Sequence, residues 1–295
     1  MSIDQITEGK LIAGRWRVVA ELEETDYPRF RVQDQQGWDG EMLIIDGVQD
    51  ISGKVHSLRD LKHENVISQV EAGSWAGMNY LVRELITGQS IKDWLLRDGK
   101  LTYEQTLGIA CQICLAGTEL AKYEIHALAI NPETIIVDPK GFVKIDPLGV
   151  GKSASDTYYK APEEHSGSKA DHKSDIFRLG MLIYVMLTGG PPRVDGHGTP
   201  RPEDLHVKDP TIPEELSRTV ERMMAVHPGH RQENMEAVLD ELHSLLMHKP
   251  PLSAASGMKP QWYEDKRFWL YIGFGLLALV VLISLITGIF PFITP

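Results

Sequence analysis

The feature that most restricts this chain lies near its C-terminal end. There, residues 268–290 run for 23 positions without a charged side chain. As a helix this run would measure about 35 Å, enough to cross a hydrocarbon core with modest tilt. Trp262, Tyr263, Trp269 and Tyr271 gather at its near end, where interfacial aromatic residues collect. The run is apolar all round, unlike a helix that packs one face on a soluble core. The expected organisation is a folded N-terminal part, a flexible linker over residues 249–267, one transmembrane helix over 268–290 and a tail over 291–295. Lys259, Lys266 and Arg267 precede the span and no basic residue follows it, which predicts a cytoplasmic N-terminal domain. Residues 1–9 are polar and carry no apolar signal-peptide region.

The formal charge of −11 belongs entirely to the part before the span, since no charged residue lies beyond Arg267. That balance argues against nucleic acid, whose phosphates favour a basic face. The two cysteines form Cys111-Gln-Ile-Cys114 within a helical pattern, and no second pair exists to complete a zinc site. They read as buried small hydrophobes.

Residues 15–22 and 29–34 read as strands around a turn-like stretch over 23–28, and residues 41–46 as a third strand after the turn Gly37-Trp38-Asp39-Gly40. Residues 66–85 read as two strands around Gly73–Gly77, and 103–122 as a long amphipathic helix. Within 126–149, the runs TIIVD and FVKID flank Asp138-Pro139-Lys140-Gly141, whose Pro and Gly suit a tight turn.

That last stretch resembles the catalytic-loop and metal-loop region of the eukaryotic-type (Hanks-type) Ser/Thr protein kinase family, H-R-D-L-K-P-E-N-I-L-x-D…V-K-x-x-D-F-G. Pro132, Glu133, Ile135, Val143, Lys144 and Gly149 keep its frame. Four other stretches match the same family: LRDLKHENVI (58–67), YLVRELITG (80–88), YKAPE (159–163) and SDIFRLGMLIYVMLTGGPP (174–192), with HPGHR (227–231) near the end. The resemblance covers about residues 11–248. It implies an α+β, bilobal protein-kinase-like fold, with a small β-rich N-lobe over about 11–83 and a larger helical C-lobe over about 89–248. Residues 1–10 form an N-terminal extension.

The family's phosphoryl-transfer groups are missing from the matching positions. Ala129 stands at the catalytic Asp, Asn131 at the loop lysine, Thr134 at the metal-binding Asn and Pro147 at the Asp of D-F-G, while His-Arg reads Ala127-Leu128. The glycine-rich phosphate loop reads Glu23, Glu24, Asp26, Tyr27 and Pro28, which would repel a triphosphate and remove a backbone donor. No lysine occurs between Lys10 and Lys54, so the third strand lacks its phosphate-pairing cation; Arg29 or Arg31 is the available substitute. Lys54 falls where the next helix normally offers Glu. An inverted Asp46–Lys54 pair is one reading and two solvated surface charges the other. GVGKS (149–153) fails as a phosphate loop because the glycine it needs five residues before Gly151 is Asp146.

Other positions are retained, and their roles follow from the resemblance. Glu163 and Arg231 form an ion pair anchoring the larger lobe, Asp175 accepts backbone hydrogen bonds from the degenerate loop, and Glu84, Leu85 and Ile86 form a hinge whose backbone could meet an adenine-like ring. The expected protein is a catalytically inactive pseudokinase without metal or cofactor. It would scaffold or regulate cytoplasmic or membrane proteins from the inner membrane face. Two alternatives stand beside this: an ATP-dependent transferase using displaced residues such as Asp138 or Asp146, and a sensor of a non-phosphate ligand at the hinge.

Overall fold

Strands open the chain because β-branched and aromatic residues alternate with charged ones. In β1 (Leu11–Ile12), β2 (Trp16–Glu21), β3 (Arg29–Gln33) and β4 (Asp39–Ile45), followed after helix α1 (Ser52–Leu58) by β5 (Gln69–Trp75) and β6 (Met78–Glu84), that alternation builds one antiparallel sheet of order β1-β2-β3-β4-β6-β5. The computed structural model describes residues 3–22, 27–45, 52–149, 156–195 and 200–247. Glu23, Glu24, Asp26, Asp46, residues 150–155, the linker and the expected span over 268–290 lie outside these residues. Among the described residues no helix is long and apolar enough to cross a membrane.

One sheet face carries Trp16, Val18, Phe30, Val32, Met42, Ile44, Tyr80 and Val82, closed over by Ile6 and Ile12. The other face presents Leu43, Ile45 and Leu81 to Val55 of α1. The turn between β3 and β4 differs from the expectation drawn from Gly37-Trp38-Asp39-Gly40. Asp34 accepts the N–H groups of Gln36 and Trp38, each at 2.9 Å, which closes the turn over residues 34–38. Asp39 and Gly40 are thereby free to pair with Gln33 and Val32 as the first residues of β4. Gly73 likewise lies within β5, and the turn into β6 is made by Ala76 and Gly77, both at positive φ.

Beyond the sheet come β7 (Gln89–Ser90), α2 (Ile91–Asp98), α3 (Tyr103–Ala121), β8 (Ile136–Val137), β9 (Val143–Lys144), α4 (Asp156–Tyr159), α5 (Pro162–His165) and α6 (His172–Thr188). They are followed by β10 (Arg193–Val194), β11 (Pro200–Arg201), α7 (Leu205–Lys208), α8 (Glu214–Met223) and α9 (Met235–Met247). Thr102 and Gln105 close a capping box at the start of α3, and Asp171 caps α6 by accepting from Lys173 and Ser174. Every residue of α6 from Ser174 to Leu187 is buried, with α3, α8 and α9 packed against it. This helix is the axis of the helical lobe. Each buried Leu, Ile or Met on it contributes on the order of 1.5–3 kcal/mol.

Strands β7, β8 and β9 form a small second sheet that positions the candidate site. Gly88 crosses its edge so closely that a Cβ there would sit 2.3 Å from the Val137 carbonyl oxygen, so only glycine fits. Chain leaving α1 meets chain leaving β9: Ile67 N–H donates to the Ile145 carbonyl at 2.9 Å and Ile145 N–H to that of Asn65 at 3.0 Å.

Candidate functional site

Sheet lobe and helical lobe face each other across a cleft bounded by β4, β6, the chain over 85–88 and the loop over 126–149. Ala129 is buried and has no side chain able to take a proton. The neighbouring polar groups are turned onto the loop itself. Asn131, fully buried, accepts through Oδ1 from the N–H groups of Glu133 (2.9 Å) and Thr134 (3.1 Å). The Thr134 hydroxyl donates to the Ala129 carbonyl and accepts from Asn131 N–H at 3.2 Å. At the far side, Leu148 N–H donates to Asp146 at 3.0 Å, and Pro147 offers neither a carboxylate nor an N–H.

On the sheet side the cleft-facing residues of β4 are Glu41, Leu43 and Ile45. Leu43 and Ile45 pack with Val55 of α1 and Leu81 of β6, and Tyr27, Ala72 and Leu148 lean onto the same cluster. An apolar plug therefore fills the ground between β4 and α1. Lys54 lies exposed on α1, next to the buried Val55. The arginines expected as substitute cations are both engaged: Arg29 pairs with Glu41, and Arg31 with Asp39 at 2.8 Å.

Below the plug sits a group that sequence reasoning passed over. Arg83, 7% exposed near the end of β6, reaches Asp146 through Nη1 at 2.8 Å and Glu41 through Nε at 3.3 Å. Glu41 is fully buried and also receives Arg29. Two guanidinium groups and two carboxylates thus neutralise one another. Burial works against the Arg83 cation, but the charges of Asp146 and Glu41 outweigh it and raise its pKa. Next along β6, Glu84 accepts from Lys144 at 2.8 Å and from Ser68 N–H at 3.2 Å. Leu85 and Ile86 are half-buried and pass from β6 toward Gly88. Asp138 is spent on its own turn, accepting Lys140 N–H at 2.8 Å and Phe142 N–H at 2.9 Å.

The remaining named residues lie in the helical lobe, away from the cleft charges. Arg231 grips Glu163 with both terminal nitrogens, at 2.7 and 2.8 Å, and donates to the carbonyls of Ala225 and Lys173 at 2.9 Å each. Burial would raise the Glu163 carboxyl, yet Arg231, the backbone and Ser174 together hold it below the usual carboxylate range. Asp175 is buried in α6 and accepts Leu128 N–H at 2.7 Å. Burial pushes its carboxyl up to about 7, against the opposing pull of loop N–H groups and Arg178. Cys114 is buried and Cys111 half-buried on α3. Among the described residues no group of His, Cys, Asp and Glu could hold a metal ion.

A twisted antiparallel sheet over a helical lobe, with a short hairpin and loop in the cleft between them, defines a protein-kinase-like domain. The chain belongs to the protein kinase domain family, whose profile matches residues 44–249. It is 26% identical to the serine/threonine-protein kinase PrkC of Bacillus subtilis over 204 residues, 62% of this chain and 31% of that one. To PknB of Mycobacterium leprae it is 24% identical over 213 residues, 62% of this chain and 34% of the relative. The matched part thus spans about a third of these curated relatives. The fold is also that of the PknI kinase domain of Mycobacterium tuberculosis, with a TM-score of 0.68 at 17% identity over 82% of this chain and 99% of that one.

Proposed function

We propose that this chain is a kinase-shaped protein without phosphoryl transfer, a pseudokinase that regulates or scaffolds partner proteins while anchored in a membrane. The observation that carries the reading is the plug of Leu43, Ile45, Val55 and Leu81, with Tyr27 and Leu148 leaning on it. Phosphoryl transfer in this fold is positioning plus neutralisation of charge by lysine and metal. A cleft wall made of aliphatic carbon supplies neither, and a polyphosphate set against it would lose its hydration without a partner. Loss of a general base alone removes roughly 10²–10⁴ in rate. Ala129, Asn131 and Thr134 add nothing back, because the latter two are committed to the loop's own backbone. Asp138 and Asp146, the displaced acids a transferase would use, are committed to a turn and to Arg83. The anchor follows from residues 268–290, and the cytoplasmic placement from Lys259, Lys266 and Arg267.

Thermal unfolding of the full chain with and without millimolar Mg-ATP tests this. A ligand at 100 times its Kd raises stability by about 2.7 kcal/mol. The melting temperature is expected to stay put. A magnesium-dependent rise would refute the reading.

A further inference from the structure

We propose that the cleft is, in its ligand chemistry, a guanidinium site already occupied by the chain's own Arg83, which bolts the sheet lobe to the helical lobe. This rests on the reading that no nucleotide fills the cleft. Arg83 leaves β6, the fifth strand in the order of the sheet. Its Nη1 meets Asp146, which follows β9 in the small sheet of the other lobe, at 2.8 Å. Its Nε meets Glu41 on the neighbouring strand, where Glu41 and Arg83 are paired in register. Glu41 is in turn held by Arg29. A planar fork contacting two carboxylates from different directions is a task for guanidinium, since an ammonium is a point charge and cannot present two fixed donor directions.

The bolt lies where the two lobes have other, weaker ties. Lys144 of β9 reaches Glu84 of β6 at 2.8 Å, but its partner is a third exposed. The Ile67–Ile145 and Ile145–Asn65 hydrogen bonds cross close by. Arg83, Glu41 and Asp146 are the shielded charges of this junction, with side chains 8%, 0% and 11% exposed. Water therefore competes little for them, and cutting their contact costs more than cutting an exposed pair. The cleft of this chain thus holds a fixed cation between acids, the reverse of what a triphosphate requires.

The test uses full-length Arg83→Ala, in which ethylguanidinium supplies the atoms removed. Amide hydrogen exchange is expected to rise about tenfold or more at Ile67 and Ile145, as expected for losing a charged hydrogen bond, while α3 and α6 stay protected. Millimolar ethylguanidinium should restore the protection, ethylammonium should not, and Arg83→Lys should remain as loose as the alanine variant. Should Arg83→Ala fail to fold, Asp146→Asn, which keeps the Arg83–Glu41 contact, is expected to show the same local rise. Unchanged exchange at Ile67 and Ile145, a rise spread evenly over both lobes, or equal rescue by ethylammonium would overturn the bolt. Magnesium-ATP stabilisation of the wild type is a separate arm: it would overturn the reading of the cleft as closed to nucleotide, whichever way the rescue falls.

Discussion

Replacing Arg231 by alanine removes a side chain with no solvent exposure, so the effect can be worked out group by group. Its guanidinium makes two contacts to Glu163, two good bonds to the carbonyls of Ala225 and Lys173 and a longer one of 3.4 Å to that of Val226. It also lies over the Phe177 ring, 4.9 Å from the centroid. Alanine removes the side-chain donor from these carbonyls and leaves Glu163 with the Ser174 hydroxyl. Breaking one side of a buried pair costs about 3–5 kcal/mol. For a domain of this size that corresponds to a fall of about 6–20 °C in melting temperature. The loss should depend on pH. In the wild type the Glu163 carboxyl sits below its usual value, so its contribution is present above the unfolded pKa of 4.5 and is lost as pH falls through the folded value. Without Arg231, burial acts with less opposition and the carboxyl rises, so the variant relieves its penalty by taking up a proton. Urea unfolding of both proteins from about pH 7 to about pH 4 should show the gap narrowing on acidification. An unchanged midpoint, or a gap that does not vary with pH, would refute the account of this pair.

Three further outcomes are expected. Asp175, with its carboxyl at about 7, holds a proton in the folded state that the unfolded chain gives up near 3.8, so stability should fall as pH rises between those values. Asp175→Asn should remove that slope, worth about 4 kcal/mol over the whole window, as read from unfolding midpoints across pH. Burial pushes the Cys111 thiol up to about 12 and holds the Cys114 thiol well above its usual range, so iodoacetamide at neutral pH should label neither until urea unfolds the chain; rapid labelling of the folded protein would contradict their placement in α3. Protease added to sealed cells should spare the N-terminal domain and digest it only after permeabilisation, because the basic flank before 268–290 resists translocation; digestion without permeabilisation would reverse the proposed topology.

The helical lobe was legible because its signals are local or carried by motif. The apolar spacing of α3, the capping Asp171 and the run from Ser174 to Leu187 can each be read within one window of sequence. The Glu163–Arg231 contact spans 68 positions, and only the paired motifs YKAPE and HPGHR suggested it. Arg83 had no such pointer. Its partners lie 42 and 63 positions away, and a charged residue at a strand end reads as solvated. The signal was strand register: Glu41 and Arg83 share a face with Leu43 and Leu81 once β4 and β6 are aligned, and no local pattern fixes that alignment. The hairpin between β3 and β4 departs from its sequence expectation for a smaller reason of the same kind. The Asp34 carboxylate made the turn, and the Gly-Trp-Asp-Gly run drew attention away from it.

The aliphatic plug also bears on what this chain could become. Suppose a lysine replaced Ile45, which is 8% exposed and packs within the plug. Its ammonium would arrive among Leu43, Val55 and Leu81, with α1 offering Val55 on that side and no acid. A buried lysine without a partner sheds its proton, and its pKa falls by as much as several units. The newcomer would be neutral, would crowd the packing and would do nothing for a phosphate. An acid at Val55 would fare no better alone, since an unpaired buried carboxylate is equally costly. Each step is harmful until the other has been taken, and Arg83 would still span the space beneath. If the domain is the pseudokinase proposed above, a return to activity on this scaffold would lie across a fitness valley.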